Sequence, residues 1–456
     1  MSEEETHRDR LRLLRAITLL IGGSMIIEGL LADWTGLSRP GSFGGDQILL
    51  VLAGLVVSLI GFLFRVNDVK SLRSFGRRIA VLYRGAAILV LNSLLLLACL
   101  ELGAIFVLTG ESLLAGLAEP QVIDPRVQLP YYASQDWAAT YWQEFSDADR
   151  RDYHSWVIWR RAPFEGATIN INEEGIRHTP GADCSANSYR VFTFGGSAMW
   201  GEGSPDWGTI AAYLQAGLEA LRDDPICVVN FGESGYVSTH NLIELLIQLQ
   251  HGNVPDLVIF YDGIGDVYAA YQSGQAGVHM NPNQIAAKLT EPQNRFVEWL
   301  KGSHSFSLLQ RAVARLGREE KPVTYQTLGI DTESLGDSVA EVYLSNYEIV
   351  GALAQEHGFK YFFFWQPVIS VGEKQLTREE QDMRSGMDPA LVNLVGVVYR
   401  NIELAAPEYE NLYYIGQAVE EQVSQIWIDW AHVTPVGNQL IAQEMLDVIR
   451  SRLAGE

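Results

Sequence analysis

The sequence predicts an α/β protein: a three-layer parallel-sheet domain preceded by three transmembrane helices and a small connecting region. Three observations carry this. From residue 189 onward, short runs of β-branched and aromatic residues alternate with stretches of helical periodicity, as expected for strands covered by helices on both faces. Polar, glycine-rich clusters follow the ends of those strands. Long apolar runs occupy residues 16–32, 47–64 and 80–109. The expected division is 1–112 for the membrane part, 113–188 for the connecting region and 189–456 for the sheet domain, with a helical insertion at about 267–333.

Each apolar run is long enough, or nearly so, to cross ~30 Å of hydrocarbon at ~1.5 Å per residue. Basic residues set the orientation. Arg8, Arg10, Arg12 and Arg15 precede the first run, and Arg65, Lys70, Arg73, Arg77 and Arg78 fill the second connection. The first connection holds only Arg39. The N-terminus is therefore expected in the cytoplasm and the sheet domain outside it. Glu28 and Glu101 lie within apolar runs, in the outer half under this topology, where a carboxylate near the interface reaches for water.

The connecting region carries Trp137, Tyr141, Trp142 and Phe145 at helical spacing, which predicts an amphipathic helix over 134–149. The runs 156–161 and 167–171 flank Pro163 and Gly166 and predict a small hairpin. Arg160, Arg161 and Arg177 are candidates, weak ones, for an anionic substrate group. Cys184 and Cys227 fall at the same end of the first two sheet strands if those strands are neighbours, and outside the cytoplasm a disulfide between them is chemically allowed.

In the sheet domain, strands are expected at 189–194, 226–230, 256–261 and 359–365, with helices at 207–222, near 239–251, at about 334–356 and at 436–453. In such sheets ligands bind beyond the carboxyl ends of the strands. Four clusters stand there: Gly195-Gly196-Ser197 after the first strand, Gly232-Glu233-Ser234-Gly235-Tyr236 after the second, Asp262-Gly263-Ile264-Gly265-Asp266 after the third, and Asp429-Trp430-Ala431-His432 before the last helix. A serine at a strand-to-helix turn presents its hydroxyl at the sheet edge. A histidine three residues after an aspartate suits a base held by an orienting carboxylate.

With these blocks in this order, residues 189–451 resemble the SGNH (GDSL-type) hydrolase superfamily. The resemblance implies Ser197 as nucleophile, Asp429 and His432 as acid and base, and an oxyanion site from Ser197 and Gly235 with a third-block side chain. There the pattern departs: the third block reads Gly263-Ile264-Gly265-Asp266, so Gly265 stands where the family carries asparagine. Trp200, Tyr236, Asp262 and Asp266 are the expected substrate contacts, with Tyr261 and Tyr268 adding aromatic surface.

The chemistry implied is acyl transfer through an acyl-serine, resolved by water or by a sugar hydroxyl. The leading expectation is a membrane-anchored extracytoplasmic esterase acting on a glycan ester. An O-acyltransferase using the same serine is the second reading and a catalytically weak glycan-binding or scaffold protein the third. The net charge of −22 disfavours nucleic acid as a partner. The nine histidines are scattered, no Cys/His cluster has zinc spacing, and no dinucleotide fingerprint or P-loop occurs, so neither metal nor cofactor is expected.

Overall fold

The computed structural model describes residues 3–35, 44–63, 69–118, 124–290, 301–316 and 323–453. The chain divides into two units: residues 1–111 with 301–310, and residues 112–300 with 311–456.

The first unit is helical, with Glu3–Thr35, Gly45–Leu63 and most of Val69–Ala118. The first two helices pack through small residues. A Cβ on Gly54 would meet the Gly22 carbonyl at 2.8 Å, and one on Gly29 would meet the Val51 side chain at 2.8 Å. Bare glycines let the two backbones approach this closely. Among the described residues, Ala87–Glu111 has the length and composition to cross a membrane, while the apolar helix Gln47–Phe62 is shorter than a full span. Of the three expected spans, then, one meets the full requirement. The Glu101 carboxylate accepts hydrogen bonds from His304 N at 2.7 Å, Ser305 N at 3.0 Å and Ser305 Oγ at 2.6 Å, so it caps a protein helix where the sequence suggested water.

The second unit is built on a five-stranded parallel sheet. Its strands are β5 (Tyr189–Gly195), β6 (Ile226–Asn230), β7 (Leu257–Asp262), β8 (Lys360–Trp365) and β9 (Leu412–Tyr414), in the order β6-β5-β7-β8-β9. The three-residue β9 is too short to be read from sequence. Alternation along the strands sorts the side chains. Phe192, Phe194, Val258, Phe260, Phe363 and Trp365 face the helices Ser238–Gln250, Ile264–Ser273, Thr332–His357 and Pro389–Ala405. Val191, Val228, Leu257, Ile259, Phe362 and Phe364 face Ile210–Glu219 and Pro435–Leu453. Both faces are dry, which explains the nearly continuous apolar strand sequences. The strand order reverses at β5, where β6 lies on one side and β7 on the other, and the crevice beyond that reversal is where such sheets take ligands.

The connecting region packs on this sheet unit. The helix Ala138–Asp147 buries Tyr141 and Trp142 with Tyr132 and Trp200 in an aromatic cluster. The hairpin differs from expectation. β1 (Arg151–His154) pairs with β2 (Ile158–Arg161), and the segment at 167–171 instead supplies β4 (Asn170–Ile171), paired with β3 (Phe164–Glu165). The turn closing β1–β2 holds Trp156 at φ 72° and Ile158 at φ 73°, backbone that no pattern of apolar residues announces. Arg160, Arg161 and Arg177 are buried and occupied: Arg160 pairs with Glu244 at 2.7 Å and Arg177 with Asp206 at 2.9 Å, and Arg161 donates to Ser234 Oγ at 3.1 Å. They pin the connecting region down and offer nothing to an anionic substrate. Cys184 and Cys227 are joined in a disulfide that ties the lead-in of β5 to β6.

Candidate active site

Ser197 is the first residue of the short helix Ser197–Trp200, directly after β5. The loop after β6 brings Ser234, Gly235 and Tyr236 beside it. The helix Ile264–Ser273, opening after β7, brings Gly265 and Asp266. Asp429 and His432 lie in a tight turn closed by Ile428 N donating to His432 O at 3.0 Å. Within that turn Asp429 Oδ1 accepts from Ala431 N and His432 N, both at 2.8 Å, an arrangement aspartate adopts readily. This fixes the carboxylate relative to the ring before any substrate arrives. The segment leading in is braced by Glu380, whose Oε1 accepts from Ile426 N at 2.8 Å and Trp427 N at 3.0 Å.

The three separated blocks meet. His432 Nε2 lies 2.6 Å from Ser197 Oγ, and His432 Nδ1 lies 2.7 Å from Asp429 Oδ2. A hydroxyl, an imidazole and a carboxylate thus form one hydrogen-bonded line. Glu202 adds a second carboxylate: its Oε2 is 3.8 Å from His432 Nε2, while its Oε1 accepts from Arg126 at 2.9 Å. Arg126 is itself paired with Asp124 and lies over the Trp142 ring at 3.9 Å.

Burial acts to lower the His432 pKa, but the Asp429 charge, followed by that of Glu202, overcomes it and raises the value to about 9. For Asp429, burial pushes upward, and the charge and hydrogen bonds of His432 win, holding it below the usual carboxylate range. Glu202, Asp429 and His432 also bring three potential ligand atoms within 4.8 Å of one another. Those atoms are already engaged by Ser197, by the Asp429–His432 bond and by Arg126, so the cluster suits hydrogen bonding better than a cation.

A cavity of about 460 Å³ opens over this line, bordered by Ser197, His432, Glu202, Gly235, Gly265, Tyr236, Asp262, Asp266, Tyr268 and Gln366 among others. Of the expected contacts, Tyr236, Asp262 and Asp266 border it. Trp200 does not: it is fully buried between the guanidinium groups of Arg161 at 4.0 Å and Arg177 at 4.2 Å, where it packs against the connecting region. Tyr261 is also buried in the sheet, whereas Tyr268 reaches the cavity and packs on Trp430.

At Gly265 the space for a side chain is already taken. A Cβ there would lie 2.7 Å from the Tyr236 carbonyl oxygen, closer than such contacts allow. What this position offers is backbone in the first turn of a helix, where N–H groups have no partner within the helix.

Glu202, Arg126 and Gln366 were not legible as site residues. Glu202 stands five residues after Ser197, but its role depends on Arg126, 76 residues earlier in the chain.

Among solved structures, a member of the lipolytic protein G-D-S-L family from Veillonella parvula is similar to this chain at 13% identity, over 57% of this chain and 97% of that one, with a TM-score of 0.30. A lipase/acylhydrolase from Enterococcus faecalis is similar at 13% identity, over 58% and 96% of the two chains, with a TM-score of 0.31. A catalytic mutant of an acetylxylan esterase from Geobacillus stearothermophilus is similar at 14% identity, over 58% and 95%, with a TM-score of 0.30. Neither a protein-family model nor a curated protein matches the sequence.

Proposed function

We propose that this chain is a serine esterase that removes acyl groups, acetyl foremost, from a glycan, held to a membrane by its N-terminal helices with the sheet unit outside the cytoplasm. The observation that carries the chemistry is the line Ser197 Oγ, His432 Nε2, His432 Nδ1, Asp429 Oδ2, with links of 2.6 and 2.7 Å. In the first step His432 takes the Ser197 proton as Oγ bonds to the ester carbonyl. The charge gathered on the carbonyl oxygen is met by backbone N–H groups of Ser197, Gly235 and Gly265. His432 then returns the proton to the leaving alcohol as the ester C–O bond breaks. Water, deprotonated by the same ring, releases the acid from Ser197. Asp429 keeps the ring in the required tautomer throughout.

The glycan assignment is supported by the aromatic and amide side chains that border the cavity, among them Trp159, Tyr236, Tyr268, Trp430, Asn281 and Gln284. The outside location is supported by the Cys184–Cys227 disulfide, which persists in oxidising compartments, and by the distribution of arginines around the apolar helices.

The test uses the full chain in detergent. It should release acetate from p-nitrophenyl acetate and bind a fluorophosphonate covalently at Ser197. Ser197→Ala should abolish both while the protein stays folded. Turnover that survives this substitution rules out the assigned nucleophile.

A further inference from the structure

The hairpin β1–β2 runs from the reaction cavity to the surface and carries large rings at its outer end. Trp159 and Arg151 border the cavity that holds Ser197 and His432. Tyr153 stands directly opposite Trp159 in the register, two residues after Arg151. In an antiparallel pair opposite residues share a face, with Cβ atoms ~5 Å apart. Residues two apart on one strand share that face as well. Tyr153 therefore extends the face that lines the cavity by one step outward, and it is 78% exposed. Trp156, in the turn that closes the hairpin, is 80% exposed.

The arm that carries these rings is braced. Val157, next to Trp156, is 1% exposed, so the turn rests on the body of the protein. Trp159 Nε1 donates to the Ser234 carbonyl at 3.0 Å, and Arg161 N donates to Glu233 Oε2 at 2.9 Å. Arg160 pairs with Glu244 at 2.7 Å, both groups being buried. The turn holds Trp156 at φ 72° and Ile158 at φ 73°, backbone that glycine fills freely and bulky side chains rarely adopt. Such backbone persists only where the surroundings impose it, and it clusters at ligand clamps. A tyrosine and a tryptophan held in water on a braced arm offer a partner contact area with little left to order.

The chemistry of the arm selects that partner. The face of a pyranose ring presents C–H groups that pack on an aromatic ring, while its rim presents hydroxyls. Arg151 and Asp152, adjoining Tyr153, are exposed charges, which suit hydroxyls and oppose burial in hydrocarbon. The ~5 Å step from Trp159 to Tyr153 is close to the length of one sugar in a chain.

We propose that Tyr153 and Trp156 form a platform for a glycan chain: the acylated sugar occupies the cavity before Ser197, and neighbouring sugars stack along the hairpin. This rests on the esterase reading above and deepens it. The substrate is a chain of sugars, since a single acylated sugar or a lipid ester would leave the platform bare.

The experiment measures kcat/KM of the full chain in detergent on O-acetylated cello-oligosaccharides of one to four residues, with p-nitrophenyl acetate as an ester without sugar. The expected result is a rise of at least about tenfold from the single sugar to the tetramer, the size of one good aromatic contact. Tyr153→Ala and Trp156→Gly should each remove most of that rise. Tyr153→Phe and Trp156→Phe, which keep a ring, should retain it. Glycine fits the positive φ of the turn, so Trp156→Gly takes away the ring without straining the fold.

A wild type that gains nothing with chain length overturns the platform, as does a gain that survives both Tyr153→Ala and Trp156→Gly. Equal slowing of the tetramer and p-nitrophenyl acetate would place the effect in the catalytic site, and this too overturns the proposal. In vesicles of dibrominated phosphatidylcholine, tryptophan quenching that is lost in Trp156→Phe would put the ring in the bilayer and overturn the glycan platform; equal quenching of both proteins supports it. Wild-type cleavage of p-nitrophenyl acetate without any acetylated oligosaccharide sinks the platform and leaves the serine chemistry standing. Cleavage of neither removes both.

Discussion

Two carboxylates beside one imidazole make the pH profile a direct readout of the site. With the His432 pKa raised to about 9, only about 1% of the ring is the neutral base at pH 7. The sign follows: below that pKa the ring already holds a proton and cannot take the one on Ser197. The kcat/KM of the wild type should therefore climb about tenfold per pH unit and level off near pH 9.

Glu202→Gln removes the negative charge 3.8 Å from His432 Nε2 while keeping the shape. At that distance a unit charge contributes about 1 kcal/mol at the dielectric of water and about 4 kcal/mol at an effective value near 20. Arg126, at 2.9 Å from the other Glu202 oxygen, cancels much of it, so the lower figure applies. About 1 kcal/mol is somewhat under one pKa unit, which moves the midpoint from about 9 towards 8. The neutral fraction at pH 7 then rises up to about tenfold. A weaker base is also less effective, by a factor on the order of three. The variant should be about three times faster than wild type at pH 7 and about three times slower above pH 9, and the two curves should cross. The assay is p-nitrophenyl acetate hydrolysis under kcat/KM conditions from pH 6 to 10, corrected for background. A flat wild-type profile, or variant and wild-type curves that superimpose, would refute the reasoning.

Gly265→Asn should lower kcat by more than about tenfold, since its Cβ would fall 2.7 Å from the Tyr236 carbonyl; a rate equal to or above wild type would show that the loop yields. Replacing both Cys184 and Cys227 by serine frees a chain closed over 43 residues, and denaturant titration should show a loss of about 4 kcal/mol on the loop-entropy account. Trp200→Ala should cost about 3–5 kcal/mol in the same titration without changing the KM of the folded fraction, because the ring touches two arginines and no substrate. Glu380→Gln should lower kcat more than it raises KM, since the turn bearing Asp429 and His432 loses charge-assisted bonds at Ile426 and Trp427.

The central sheet was legible because its strands are dry on both faces. Runs such as Phe362-Phe363-Phe364 have no other stable place, and β6 falls on the expected residues. The site blocks were legible because topology sends every strand end to one rim, and the resemblance carried by their order paired Ser197 with His432, 235 residues apart. Legibility ended where a role depends on a contact between segments without a shared pattern. Trp200 stands three residues from the nucleophile and still faces away, because Arg161 and Arg177 enclose it. The strand pairing at 151–161 went unread because its turn takes positive φ at Trp156 and Ile158, which the spacing of apolar residues does not signal.

Gly265 and the hairpin β1–β2 belong to one arrangement. The Tyr236 hydroxyl donates to the Trp159 carbonyl at 2.5 Å, and Trp159 Nε1 donates to the Ser234 carbonyl at 3.0 Å. Arg161 reaches the same loop through Ser234 Oγ and through Glu233, whose Oε2 accepts the Arg161 N–H at 2.9 Å. The hairpin β1–β2 thus clamps the loop after β6 and sets the Tyr236 carbonyl against position 265, in the space where a side chain of the third block would stand. Glycine is what that clamp requires. If this coupling holds, loosening the clamp with Trp159→Ala should make Gly265→Asn less damaging than it is in the wild-type background. The two substitutions should be non-additive in kcat, and simple additivity would separate the hairpin from the glycine.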